Sequence, residues 1–93
     1  MVIGLCIVEL LIGEAGSLKD KRRILKSMMD RVKAHYNVSI AEIDQHDIWQ
    51  RSTIAFTCVT NERKHAFRVL NSVVKFFEKQ RESQVLDYQI EMI

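Results

Sequence analysis

The chain lacks the residues that divide a protein into parts. Its 93 residues include no proline, three glycines and no low-complexity stretch, so nothing in it resembles a linker, and we expect a single domain over residues 1–93. It has two cysteines, Cys6 and Cys58, far apart in apolar runs and without C-x-x-C spacing. This pattern excludes a redox or zinc motif and predicts reduced core residues in a cytoplasmic protein.

A large net charge and a long hydrophobic run are also missing. The formal charge is +2, so overall charge does not drive nucleic-acid binding, and any polyanion must meet a local cluster of basic residues. The apolar run Val2–Ile12 is shorter than the roughly 20 residues that span a bilayer. It also lacks the preceding basic segment and the cleavage site of a signal peptide. We therefore expect no membrane partner.

Apolar residues predict four strands. The first run is rich in β-branched residues and apolar at both parities, which is typical of a strand buried on both sides. The other three runs alternate with a period of two residues. The predicted strands are Val2–Ile12, Asn37–Ile43, Arg51–Thr60 and Gln84–Ile93.

Two segments predict helices, over residues 18–35 and 62–82. Ser17 with Asp20 three residues later has the pattern of a capping box that begins the first helix, and Thr60 or Asn61 can cap the second. Each helix has an apolar stripe that faces a core. The stripes are Leu18, Leu25, Met28, Val32 and Tyr36 in the first helix, and Ala66, Leu70, Val73 and Phe77 in the second.

The order βαββαβ predicts an α+β protein of the ferredoxin-like class, with a four-stranded antiparallel sheet and both helices on one face. The first and third strands are then central. Because helices cover one face only, one apolar side of the first strand must lie on the open face, and a partner surface is its natural cover. We expect a homo-oligomer, most simply a dimer. The two alternatives for the open side are Ile3, Leu5 and Ile7, or Val2, Cys6 and Val8.

Five basic residues lie close together at the start of the first helix. A helix start combines free backbone amides with the positive end of the helix dipole, and these add to the side-chain charges in attracting phosphate. The alternative is that these residues form a solvated helix face. The candidate anion-binding residues are Lys19, Lys21, Arg22, Arg23 and Lys26.

A second candidate patch consists of Trp49, Gln50 and Arg51. An exposed indole beside a guanidinium can stack on a nucleobase or anchor a protein contact, and the alternative is an indole buried under the sheet edge. His46 lies between Asp44 and Asp47, but the spacing matches no metal motif. No nucleophile has a base in a recognisable motif. We therefore expect no metal, no cofactor and no enzymatic activity.

Four stretches together resemble the YlxP-like family of small bacterial proteins of unknown function. They are Ser17-Leu-Lys-Asp-Lys-Arg-Arg, Tyr-Asn-Val-Ser-Ile-Ala-Glu42, Asp47-Ile-Trp-Gln-Arg51 and Val59-Thr-Asn-Glu62. The matching positions are Ser17, Lys19, Lys21, Arg22, Asn37, Ser39, Glu42, Trp49, Gln50 and Arg51.

The resemblance implies a ferredoxin-like fold in a bacterial cytoplasmic protein, often encoded beside transcription-termination and translation-initiation factors. That setting implies a role near RNA or the ribosome. We therefore predict a non-catalytic RNA- or ribosome-associated binding factor that acts through the basic start of the first helix. The alternative is a homo-oligomeric protein-interaction or small-ligand-sensing module without nucleic-acid binding.

Overall fold

Four antiparallel strands form one sheet with two helices packed on one of its faces. A computed structural model describes residues 1–93. The elements are β1 (Val2–Leu11), α1 (Leu18–His35), β2 (Ser39–Asp44), β3 (Arg51–Thr60), α2 (Arg63–Lys79) and β4 (Gln84–Met92). The strand order β2-β3-β1-β4 places β1 and β3 in the centre. The predicted ferredoxin-like βαββαβ topology is confirmed. No helix combines the length and the apolarity needed to cross a membrane.

The two helices begin differently. At α1 the predicted capping box is confirmed, because the Ser17 hydroxyl accepts a hydrogen bond from the Asp20 amide at 3.1 Å. At α2 the predicted cap was wrong: the N-cap residue is Glu62, and its side chain makes no capping bond. The Thr60 hydroxyl accepts a bond from the Glu62 amide at 3.3 Å, one residue before the helix. Helix α2 also ends earlier than predicted, at Lys79, and the Gln80 amide then donates a hydrogen bond to the Phe77 carbonyl.

The core lies between the sheet and the helices, and strand alternation determines which side chains enter it. On β1 the residues Cys6, Val8 and Leu10 are buried under the helices, and they pair across the sheet with Phe56, Ile54 and Ser52 of β3. The opposite side of β1, which faces away from the helices, therefore carries Ile3, Leu5 and Ile7. This resolves the choice between the two sides of the strand.

Helix α2 contributes the predicted stripe to the core, and Phe77 packs 6.3 Å from the Phe56 ring. Helix α1 buries Leu25, Met28 and Val32 as predicted, whereas Leu18 and Tyr36 at its two ends remain half-buried. Two further residues of α1 are buried: Ile24, and a lysine described below.

Both cysteines are buried and neither forms a disulfide. Burial raises the pKa of the Cys6 thiol to about 12, and it raises the pKa of the Cys58 thiol as well. Because the thiolate is the reactive form, we expect both thiols to react more slowly in the folded protein than a free cysteine does.

Gly4 of β1 lies directly against α2. A Cβ at this position would meet the Leu70 Cδ1 atom at 2.9 Å and the Ala66 Cβ atom at 3.2 Å. The substitution Gly4→Val overpacks this contact, and we expect it to lower the free energy of unfolding by about 1–3 kcal/mol in urea denaturation. The control Gly13→Ala meets no atom within 4 Å and should change the stability by less than about 0.5 kcal/mol. Equal effects of the two substitutions would contradict the packing argument.

Candidate nucleic-acid interface

Lys21 occupies an interior position, so its predicted role in an exposed anion-binding cluster was wrong. The residue is 0% exposed. Its Nζ atom donates to the carbonyl oxygens of Gln45 at 2.5 Å and Ile48 at 2.7 Å, and it forms an ion pair with the Glu42 carboxylate at 2.9 Å. An ammonium group has three protons to donate, and these contacts account for them. Lys21 is unavailable to an external phosphate.

The position of Lys21 on the helix explains its burial. Lys21 follows Leu18 by three residues and precedes Leu25 by four, so it lies on the apolar stripe of α1. The opposing residue on β2 is Glu42, which shares the helix-covered side of the strand with the buried Ile40. The Glu42 carboxylate also accepts a hydrogen bond from the Ser52 hydroxyl at 2.6 Å. The interior therefore provides a complete set of partners for both charges.

The Lys21 contacts hold the β2–β3 loop, residues 45–50, against the start of α1. Gln45 begins the loop with a positive φ of 62°, and its amide donates to the Asp44 carboxylate at 2.7 Å. At the far end the Gln50 side chain donates to the Gly13 carbonyl at 3.2 Å, and the Gln50 carbonyl accepts from the Ile12 amide at 2.7 Å. The loop is thus fastened at both ends and in the middle.

The fastened loop presents Trp49 to solvent. Its side chain is 52% exposed, and the preceding Ile48 is 49% exposed. Of the two alternatives for Trp49, an exposed indole or an indole buried under the sheet edge, the structure shows the exposed one. Arg51 is also exposed, but as the partner of Leu11 it begins β3 on the open side of the sheet. The structure therefore brings Trp49 next to the start of α1 and places Arg51 on the other face.

The remaining members of the cluster, Lys19, Arg22, Arg23 and Lys26, are all exposed on the outer side of α1. The Lys26 ammonium donates to Asp30 at 2.7 Å, and this hydrogen bond lowers the pKa of the Asp30 carboxyl. The Arg23 guanidinium lies 3.8 Å from Asp20. Lys19 and Arg22 form no ion pair, so they are the most available cations at this end of the helix.

Positive charge is concentrated on the two helices and negative charge on the rest of the chain, a feature that the sequence analysis missed. Helices α1 and α2 carry twelve of the fourteen Lys and Arg residues but three of the twelve Asp and Glu residues. The helix layer thus has an excess of nine positive charges, and the rest of the chain has an excess of seven negative charges. The five basic residues of α2 could have indicated this charge distribution in the sequence, because α2 packs on the same face of the sheet as α1. They are Arg63, Lys64, Arg68, Lys75 and Lys79.

A shallow groove lies between Tyr36, directly after α1, and the last turns of α2. Lys75 and Lys79 line it. Arg31 lies over the Phe76 ring at 5.5 Å and donates to the Gln80 side chain at 2.8 Å. The basic surface therefore extends over both helices and well beyond the α1 start.

His46 belongs to the loop and its ring nitrogen lies 3.1 Å from the Glu42 carbonyl oxygen. Asp44 is engaged with the Gln45 amide, so the carboxylates flanking His46 in sequence do not converge with its ring. No group of three or more His, Cys, Asp or Glu side chains is arranged to hold a metal ion.

The role of Lys21 can be tested by the same substitution at two positions of α1. In Lys21→Met the Glu42 charge and the loop carbonyls lose their partner, so we expect a loss of about 3 kcal/mol in the free energy of unfolding. In Lys26→Met an exposed i,i+4 pair is lost, and the expected change is below about 0.5 kcal/mol. Urea denaturation followed by circular dichroism measures both. Similar losses would show that the buried contacts of Lys21 do not stabilise the fold.

Comparisons with known proteins place the chain in a family. The family described as "Protein of unknown function (DUF503)" matches residues 3–90. The uncharacterized protein YlxP of Bacillus subtilis (strain 168) is 39% identical over 77 residues, which covers 83% of this chain and 84% of that protein.

Two solved structures share the fold at low identity. The de novo designed protein Foldit4 matches with a TM-score of 0.56 at 12% identity. The match includes 100% of this chain and 97% of the Foldit4 chain. The de novo designed protein LFR1 1, described as having a ferredoxin fold, matches with a TM-score of 0.51 at 13% identity. This match includes 100% of this chain and 83% of the LFR1 1 chain. At such identities they support the fold alone. With the family match over almost its whole length, the chain belongs to the DUF503 family of YlxP-like proteins.

Proposed function

We propose that the chain is a non-catalytic RNA-binding protein that holds the phosphate backbone of structured RNA, free or within the ribosome, against its helix layer. The single observation that carries this proposal is the concentration of positive charge on the helix layer, with negative charge on the rest of the chain. A surface of one sign next to a surface of the other attracts a polyanion to one face only. Phosphate contacts of this kind supply most of the non-specific affinity for nucleic acids.

The exposed cations of both helices support the proposal. Ten Lys and Arg side chains of the helix layer are exposed: Lys19, Arg22, Arg23, Lys26, Lys33, Arg63, Lys64, Arg68, Lys75 and Lys79. They lie along both helices and include Lys75 and Lys79, which line the groove beside Tyr36. Because packed helices lie about 8–10 Å apart, the two rows can reach phosphates of more than one strand. This favours folded RNA over a single extended strand.

The open sheet face also favours RNA binding by the helix layer, because its central strands carry no aromatic side chains there. Sheet-based RNA readers stack bases on aromatic side chains of the central strands. Here the open side of β1 carries Ile3, Leu5 and Ile7, and the opposing positions of β3 carry Val59, Thr57 and Ala55. Phe56 is buried on the other face. The open face thus has no platform for bases on its central strands.

RNA binding should weaken steeply with salt, and two matched variants test its location. In Arg22→Ala/Arg23→Ala two phosphate contacts are lost, so the slope of log K against log salt should decrease in magnitude by roughly 1.4–1.8. The control Gln84→Glu/Gln89→Glu changes the net charge by the same amount on exposed positions of β4. It should leave the slope unchanged. Fluorescence anisotropy with a labelled RNA hairpin, titrated at several salt concentrations, gives the slopes. Equal losses in both variants would assign the binding to net charge alone.

A homodimer formed through the open sheet face is a second candidate function, favoured by the apolar side chains exposed there. Val59 is 69% exposed and lies opposite Ile3. The two threonine hydroxyls of β3 on this face are already paired: Thr57 donates to the Gly4 carbonyl at 2.6 Å and Thr53 to the Glu9 carboxylate at 2.9 Å. Groups that keep their partners on burial add little cost to association.

Acidic residues on the open face make the stability of such a dimer depend on salt concentration. Glu9 lies directly opposite Asp87 of β4, and no Lys or Arg forms an ion pair with either carboxylate. Like charges opposed across a sheet repel, and a two-fold contact of two open faces would bring four such groups together. Screening by salt relieves this repulsion. The dimer should therefore respond to salt in the opposite direction to RNA binding.

Light scattering at about 0.1 mM, well above a micromolar dissociation constant, tests the dimer. We expect a larger dimer fraction at high salt than at low salt. The substitution Leu5→Asp places another carboxylate near Glu91, its neighbour across the sheet, and should give a monomer. The control Phe67→Asp removes an exposed aromatic side chain from α2 and should leave the dimer intact. A monomer at both salt concentrations would overturn this candidate.

A further inference from the structure

We propose that Trp49 is a stacking platform for an unpaired nucleobase, so that the RNA bound by this protein is a duplex with an unpaired nucleotide beside it. This inference rests on the proposed function and names the class of RNA. It concerns the β2–β3 loop, which the phosphate-binding surface does not include.

The exposure of Trp49 is the first observation. An indole is large and usually mostly buried, yet half of this side chain is in solvent. Its neighbour Ile48 is exposed to the same degree. Stacking on an aromatic ring contributes about 1–3 kcal/mol per base in single-stranded nucleic-acid sites, and a half-exposed indole has a free face for it.

The rigidity of the loop is the second observation. Lys21 donates to the Ile48 carbonyl at 2.7 Å, directly before Trp49 in the chain, and Gln50 directly after it is tied to the Gly13 and Ala15 carbonyls at 3.2 and 3.4 Å. Both neighbours of the indole are thus anchored to the scaffold. A platform fixed before binding loses little conformational freedom when a ligand stacks on it.

The location of the loop is the third observation. The contacts of Lys21 with the Gln45 and Ile48 carbonyls place the loop directly against the first turns of α1. Lys19 and Arg22, which form no ion pair, lie on the outer side of those same turns. A backbone held on these cations passes the edge of the helix layer at Trp49, where a nucleotide without a pairing partner can turn onto the indole.

The loop chemistry favours a base over a phosphate at this point. Asp47, two residues before Trp49, is exposed and forms no ion pair. A carboxylate repels phosphate, but it accepts hydrogen bonds from base amino groups. The platform therefore complements the basic surface: α1 binds the backbone and the loop receives the base.

The chain has one tryptophan, so fluorescence excited at a wavelength that tyrosine does not absorb reports on this site alone. The probes are a blunt RNA duplex and the same duplex with one unpaired nucleotide at its centre. We expect binding of the second RNA to quench the fluorescence and to be about 5- to 150-fold tighter, the equivalent of 1–3 kcal/mol. The blunt duplex should bind without quenching.

Three variants locate the effect. Trp49→Ala should abolish the preference for the unpaired nucleotide while leaving binding to the blunt duplex and its salt slope unchanged, and Trp49→Phe should retain most of the preference. The control Tyr88→Ala removes an aromatic side chain that is exposed on β4 and should change nothing.

Two results separate this inference from the function on which it rests. Equal affinity for the two RNAs, or a preference that survives Trp49→Ala, overturns the stacking site and makes Trp49 the candidate anchor of a protein contact. Failure to bind either RNA overturns the proposed function together with the stacking site.

Discussion

A single buried ammonium group organises one end of this molecule. A lysine in a protein interior is tolerated only when its charge and its hydrogen bonds are all satisfied. Lys21 meets that condition with the Glu42 carboxylate and the loop carbonyls. The same contacts join the first turn of α1, the β2 strand and the β2–β3 loop. Together with the contacts of Gln50, Lys21 therefore fixes the placement of the basic helix start relative to the exposed indole.

The charge distribution gives the two faces of the sheet different chemistry. One face is covered by helices with a large positive excess. The open face combines aliphatic side chains with carboxylates that form no ion pair. A protein of this size could carry the same net charge evenly, and it would then have no preferred side for a polyanion. The proposed RNA surface and the proposed dimer surface lie on opposite sides, so neither excludes the other.

The sequence predicted the elements, their order and most of the core, because strand and helix periodicity depend on local alternation of apolar residues. It did not predict the interior role of Lys21. A run of basic residues indicates a solvated cluster when charge is considered alone, and only the coincidence of Lys21 with the apolar stripe, together with Glu42 beside Ile40, signals otherwise. The missing cap at α2 has a similar cause: Thr60 has the right side chain but lies two residues before the N-cap.

The excess of positive charge on the helices also makes the molecule an electric dipole whose positive side is the helix layer. A dipole in the field of a polyanion turns before contact, so the helix layer would lead and the open face would trail during an encounter. Productive orientations are then a larger share of collisions, which increases the association rate more than it slows dissociation. A protein bound to RNA in this orientation would expose its apolar and acidic sheet face to solvent. The complex would then have a surface that the RNA alone lacks.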